Sequence, residues 1–133
     1  MNMLNSCPCG SGLSFVACCE PIISGRKNAL TAQELMRSRY TAFTQANVDY
    51  LMSSHSAKTR PVKERKSIEK WARSVVWIGL TIIQTQDGEA SDEIGSVEFK
   101  ALHLANGKPE QIHENSFFQR ENGKWVYVSG VHS

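Results

Sequence analysis

Cysteine is absent from everything beyond residue 19 of this 133-residue chain, because all four cysteines lie between positions 7 and 19. A disulfide framework ties distant parts of a small secreted domain together. This distribution argues against one and for metal binding in a reducing cytosol. Long apolar runs are missing too: none approaches the roughly 20 residues that cross a bilayer. Residues 1–6 have neither a charged start nor an extended apolar core of the secretory kind. The expectation is a cytoplasmic protein without a membrane span. An excess of one charge is also lacking. The net charge is +2, the basic residues are scattered, and their densest cluster, residues 63–66, contains Glu64. That is no nucleic-acid footprint, and a nucleic-acid partner is not expected. With 41% hydrophobic and 21% charged residues, the chain falls outside the disordered classes. Its length suits one domain with a short N-terminal appendage.

What is present begins with the cysteines. Cys7-Pro8-Cys9-Gly10-Ser11-Gly12 turns the chain tightly, and the adjacent pair Cys18-Cys19 follows. Four thiolates complete one tetrahedral site and suit zinc, a borderline-soft ion that accepts whatever geometry the backbone supplies. An all-cysteine site has no open position for water, so its zinc is expected to be structural, one ion per chain. Four thiolates and one Zn²⁺ would take the net charge from +2 to about zero. The competing readings are free or oxidised thiols and an iron–sulfur cluster. Adjacent cysteines pair poorly with each other, so oxidation would join Cys7 or Cys9 to Cys18 or Cys19. The spacing is unlike that of ferredoxins.

The run CPCGSGLSFVACC resembles the SEC-C motif, the zinc knuckle also found at the C-terminal end of the translocase ATPase SecA. The resemblance implies that all four cysteines are ligands. In SecA the last ligand position is commonly His, and the knuckle there contacts the export chaperone SecB and phospholipid. Here Cys19 fills that position, and residues 13–17 replace the usual lysine-rich filler.

Residues 24–28 read as a linker. Thr31-Ala32-Gln33-Glu34 has the form of a capping box, with Glu34 able to reach back to the Thr31 amide, and a helix should run from there to about Ala46. Leu35, Ala46, Ala32, Phe43, Met36 and Tyr40 fall in one arc about 140° wide, with Arg39 inside it. Asn47 can cap a second helix, and Pro61 fits the first turn of a third that ends near Arg73, with Ile68, Trp71 and Ala72 facing inward. Strands are expected at 75–86, 94–104, 109–121 and 124–130, and Asn106-Gly107 and Asn122-Gly123 mark tight hairpins between the last three. Helices followed by a sheet make an α+β domain. The order resembles the nuclear transport factor two-like, or cystatin-like, cone with its strongly curved antiparallel sheet. LMRSRYTAF, VDYL, WIGL, GSVEFKA, HENSFF and GKWVYVSG are similar to the bacterial YchJ-like family over nearly the whole chain. That family joins the knuckle to such a cone. The expected division is a knuckle at 1–24 and a cone at 25–133.

Hairpins turning at Asn-Gly place Ala101 opposite Ile112, Phe99 opposite Glu114, Val97 opposite Ser116 and Phe118 opposite Tyr127. These side chains, with His103 and Trp125, share the face assigned to the helices. Glu114 and Ser116 are polar intruders there, as Arg39 is on the helix. A buried carboxylate needs a partner, so an Arg39–Glu114 salt bridge is expected. Arg39, Glu114, Ser116, Tyr127, Phe99 and Phe118 are the candidate pocket residues, for a small ligand or as a purely structural ion pair. A one-residue slip would instead bring His113, Glu98, Asn115 and Phe117 to that face. Arg37 and Lys27 read as solvated charges, His55 and His132 as surface residues, and Trp77 as core.

Two functions compete. In one, the chain is a binding module whose zinc knuckle docks a protein partner and whose cone holds a small molecule. In the other, it is an isomerase or dehydratase of the kind related cones support, with Glu114 or His113 as general base. The expected salt bridge argues against the enzyme, since a carboxylate held by a cation is a poor base.

Overall fold

The computed structural model describes residues 5–133. After the cysteine turn and a 3₁₀ turn at Phe15–Ala17, the short helix α1 (Cys19–Ile23) carries the last cysteine. Helix α2 spans Ala32–Thr44. Its start was legible from Thr31, whose Oγ1 accepts the Glu34 amide at 3.1 Å. Glu34 reaches back in turn, but to the Leu30 amide at 3.1 Å rather than to that of Thr31. Helix α3 (Val48–Ser53) starts where expected, with Asn47 Oδ1 accepting the Tyr50 amide. Pro61 precedes a 3₁₀ turn at Val62–Glu64, and helix α4 runs Arg65–Ser74.

The strands β1 (Val75–Asp87), β2 (Ile94–Ala105), β3 (Lys108–Glu121) and β4 (Lys124–His132) form one antiparallel sheet in the order β1-β2-β3-β4. Asn106, Gly107, Asn122 and Gly123 all have positive φ, the backbone that lets a two-residue loop follow the strand twist. With the turns set, Ala101 pairs with Ile112, Phe99 with Glu114 and Val97 with Ser116, and Phe118 pairs with Tyr127. The slipped alternative is thereby excluded: Lys100 lies opposite His113 and Glu98 opposite Asn115. The sheet is open and four-stranded, not the strongly curved cone expected from the sequence. Its departures from regular pairing are confined to shifts at Trp77/Gly79 and Ile82/Gln84 against β2, and at Phe117/Phe118 against β4.

Helix α2 crosses the face carrying Val97, Phe99, Ala101, Phe118 and Trp125, to which it brings Leu35, Met36 and Tyr40. Cys7, Cys9, Cys19 and Ile22 belong to the same buried cluster, so knuckle and sheet share one core. The opposite face of the sheet leaves Leu102, Phe117 and Val131 exposed. At the far end of β1 and β2, Gly88 accepts the Ala32 amide at 2.9 Å. A Cβ on Gly95 would overlap the Gly88 backbone there, so only glycine lets this hairpin meet the start of α2.

Candidate metal centre and cavity

The turn after Cys7 is closed by its own backbone. The Cys7 amide donates to the Leu13 carbonyl at 2.9 Å, the Gly10 amide donates to the Cys7 carbonyl at 3.2 Å, and Ser6 bridges to Ser14. This brings the sulfur atoms of Cys7, Cys9, Cys18 and Cys19 within 4.8 Å of one another. Cys9 and Cys18 are 3.6 Å apart and Cys18 and Cys19 3.9 Å. Cys7, Cys9 and Cys19 are buried, and Cys18 is half-buried. The surroundings are polar where they touch sulfur: Ser11 Oγ lies 3.1 Å from Cys18 Sγ, and Thr41 Oγ1 of α2 lies 3.7 Å from Cys7 Sγ. Arg37, one turn before Thr41, donates Nη1 to the Cys9 carbonyl at 2.7 Å and Nε to Gln33 at 3.1 Å. It is therefore a strut for the knuckle, not the solvated charge expected.

Electrostatics in the cluster are those of thiols waiting for a cation. Hydrogen bonds from the Cys19 and Cys7 thiols hold Cys9 well below the usual thiol range, whereas burial pushes Cys18 up to about 11. A divalent cation at the centre of the four sulfurs would let all of them ionise. The four-cysteine cluster is thus capable of holding a metal ion.

A cavity of about 300 Å³ opens between α2, α4 and the sheet. Arg39, Phe99, Glu114, Ser116 and Tyr127 line it; Phe118 does not, and packs edge-on against Tyr127 at 5.8 Å. The expected Arg39–Glu114 salt bridge is not formed. Arg39 Nη1 donates to the Leu51 carbonyl at 2.9 Å and to Ser54 Oγ at 2.7 Å, and its guanidinium carbon sits 4.5 Å above the centre of the Tyr127 ring. Glu114 instead accepts through Oε2 from Ser116 Oγ and from the Tyr127 hydroxyl at 3.2 Å, and its Oε1 lies 3.0 Å from His132 Nε2. The tyrosine stands between the two charges, its face to the cation and its hydroxyl to the carboxylate. Burial and the Glu114 charge push the Tyr127 hydroxyl up to about 12.

His55, His132 and Trp71 are among the cavity residues that lay outside the candidates read from the sequence. His55, expected on the surface, pairs in parallel with Tyr127 as an isolated bridge and meets its ring edge-on at 5.0 Å. Burial, with Arg39 and Arg60 nearby, pulls it down to about 4, so it is neutral at pH 7. His132, also expected as a plain surface residue, reaches Glu114 while most of its side chain stays exposed. Trp71 joins Trp77 and Phe43 in an aromatic wall with ring centres 5.3 to 6.3 Å apart. No sequence signal marked His55 or His132, because α3 and the end of β4 meet only through the tertiary fold. His113 bonds Glu98 at 2.7 Å on the other face of the sheet, which removes it as a base for this cavity.

A four-cysteine knuckle docked on a helix-and-sheet unit defines a class: a SEC-C motif joined to an NTF2-like domain. Residues 31–130 match the family described as "YchJ, middle NTF2-like domain". A UPF0225 protein of Geobacter sulfurreducens is 41% identical over 128 residues, which cover 96% of this chain and 80% of that protein. The chain belongs to the YchJ family. Two solved structures are similar throughout. The solution structure of a SEC-C motif containing protein from Rhodopseudomonas palustris superposes with a TM-score of 0.86 at 26% identity, covering 96% of this chain and 98% of that one. The crystal structure of a SEC-C motif containing protein from Psychrobacter arcticus gives 0.80 at 28% identity, with 98% and 86% covered.

Proposed function

We propose that this chain is a binding module. Its knuckle holds one structural zinc ion on Cys7, Cys9, Cys18 and Cys19 and docks a protein partner, while its helix–sheet unit takes a small ligand into the cavity bounded by Arg39, Glu114, Ser116 and Tyr127. The observation that carries the zinc reading is the fit of the donor set. Zn–S bonds of about 2.3 Å directed to a tetrahedron put neighbouring sulfurs about 3.8 Å apart, and the Cys9–Cys18 and Cys18–Cys19 separations are 3.6 and 3.9 Å. With every ligand position taken by protein sulfur, the ion would cross-link the turn to α1 and leave no site for substrate. Four unpaired thiols also suit a reducing compartment, the cytoplasm.

The cavity favours binding over isomerase or dehydratase chemistry because its one carboxylate already accepts from Ser116 and Tyr127 through Oε2 and has His132 Nε2 3.0 Å from Oε1. A general base needs a free oxygen within reach of the proton it removes. The test is metal content by mass spectrometry on untagged chain purified without chelator, beside the Cys18→Ser, Cys19→Ser double variant. We expect about one zinc per chain, lost in the variant. Metal-free protein with four titratable thiols would overturn the assignment.

A further inference from the structure

Among the described residues Arg39 is the only arginine or lysine that lines the cavity, and Glu114 the only acid. Arg39 is 7% exposed. Among the described residues no carboxylate is within salt-bridge distance of it, and its hydrogen bonds to protein, the Leu51 carbonyl and Ser54 Oγ, both come from Nη1. Burial lowers its pKa only to about 10, so it stays cationic at neutral pH. A guanidinium presents five donors in a planar fork shaped for a carboxylate. The Nε and Nη2 donors of Arg39 make no hydrogen bond to protein among the described residues, which leaves one edge of the fork open to an anion. Glu114 acts on Arg39 through its charge but makes no direct contact with it, its Oε2 accepting from Ser116 and from the Tyr127 hydroxyl. Apart from His55, His132, Ser116 and Tyr127, the remaining wall is largely apolar, with Phe43, Trp71 and Trp77 beside Ile68, Phe99 and Ile112. An apolar cavity of about 150 Å³ accepts a benzene ring. The cavity here, about 300 Å³, therefore has room for a ring and a short arm.

Resting on the reading of this cavity as a ligand site, we propose that it binds a small monocarboxylate with an aromatic body, the carboxylate paired with Arg39 and the ring against Trp71 and Trp77. A cationic ligand is disfavoured by the same geometry. It would meet a fixed guanidinium, and the carboxylate that could receive it already accepts from Ser116 and Tyr127.

The experiment titrates the full-length, metal-loaded chain at pH 7 with three probes of one shape, 3-phenylpropionate, its primary amide and 3-phenylpropylamine, by calorimetry. We expect the carboxylate to bind about ten-fold or more tightly than the amide, and the amine more weakly still. Arg39→Met should abolish that preference, and Trp71→Phe, at the rim of the cavity, should weaken binding of the carboxylate. Equal affinity for all three probes would overturn the carboxylate assignment while leaving the cavity a ligand site. Failure of all three to bind at millimolar concentration would overturn both readings. If Arg39→Met does not fold, Arg39→Lys, which keeps the charge but loses the fork, and the three-probe comparison on the unaltered chain still decide.

Discussion

Replacing Gly130 by alanine puts a methyl group where Glu114 keeps its carboxylate. Gly130 lies on β4 opposite Ser116, and a Cβ built there would overlap Oε2 and Cδ of Glu114 and stand 2.9 Å from Cγ. The glutamate must swing out, abandoning its bonds from Ser116 and Tyr127. Hydrogen bonds to a charged group are worth about 1.5–3 kcal/mol each. Two of them lost amount to roughly 3–6 kcal/mol, which hydration of the displaced carboxylate on the His132 side returns in part. The net destabilisation should be about 2 kcal/mol, a fall of about 7 °C in Tm for a chain of this size. Thermal and urea unfolding measure it, and a double-mutant cycle tests the cause. In a Glu114→Ala background the obstruction is gone, so Gly130→Ala should cost close to nothing, with a coupling of about 2 kcal/mol. Costs equal in the two backgrounds, within about 0.5 kcal/mol, would refute the claim that Gly130 exists here to house Glu114.

Arg37→Ala removes the strut from α2 to the Cys9 carbonyl and should weaken metal binding about 10- to 100-fold, as other losses of outer-sphere support do; a chelator competition assay reads this, and unchanged affinity would show that the turn orients its own sulfurs. His55 sets a pH dependence whose sign follows from its depressed pKa, about 4 in the folded chain against about 6.5 unfolded. The unfolded chain takes up the proton first, so stability is complete above about pH 6.5 and is lost as pH falls toward 4. Urea unfolding across that interval should show the slope, and His55→Gln should flatten it; an unaltered slope in the variant would place the effect elsewhere.

Much of the frame was legible because it depends on local chemistry. Thr31 and Asn47 carry capping oxygens, which start α2 and α3 wherever the rest of the chain goes. The two Asn-Gly loops accept positive φ and set the β2–β3–β4 register, hence the shared face of Phe99, Glu114, Ser116 and Tyr127. Arg39 was recognisable as a charge on an apolar helix face, yet its partner was misread. Sequence spacing placed Arg39 and Glu114 on facing layers, but the ring of Tyr127 and the end of α3 occupy the gap between them. The open sheet was missed for a similar reason, because curvature accumulates from strand twist and three register shifts, and Gly79, a glycine inside β1 that signals a bend, marks the site of one shift without fixing its extent.

The sequence by itself therefore determined the four-thiol cluster, the helix starts, the hairpin register and the alternation that sorts one sheet face from the other, all of which rest on interactions within a few residues or across one turn. Only the tertiary structure decided what those faces enclose. It brought Arg37 to the knuckle, and His55 and His132 to the cavity. It also set the Tyr127 ring beside both Arg39 and Glu114, leaving a buried cation with no carboxylate in direct contact. The physical reason is that hydrogen-bond partners across long sequence separations are chosen by packing, which fills space at near-crystalline density and leaves each polar side chain only the neighbours that remain within reach.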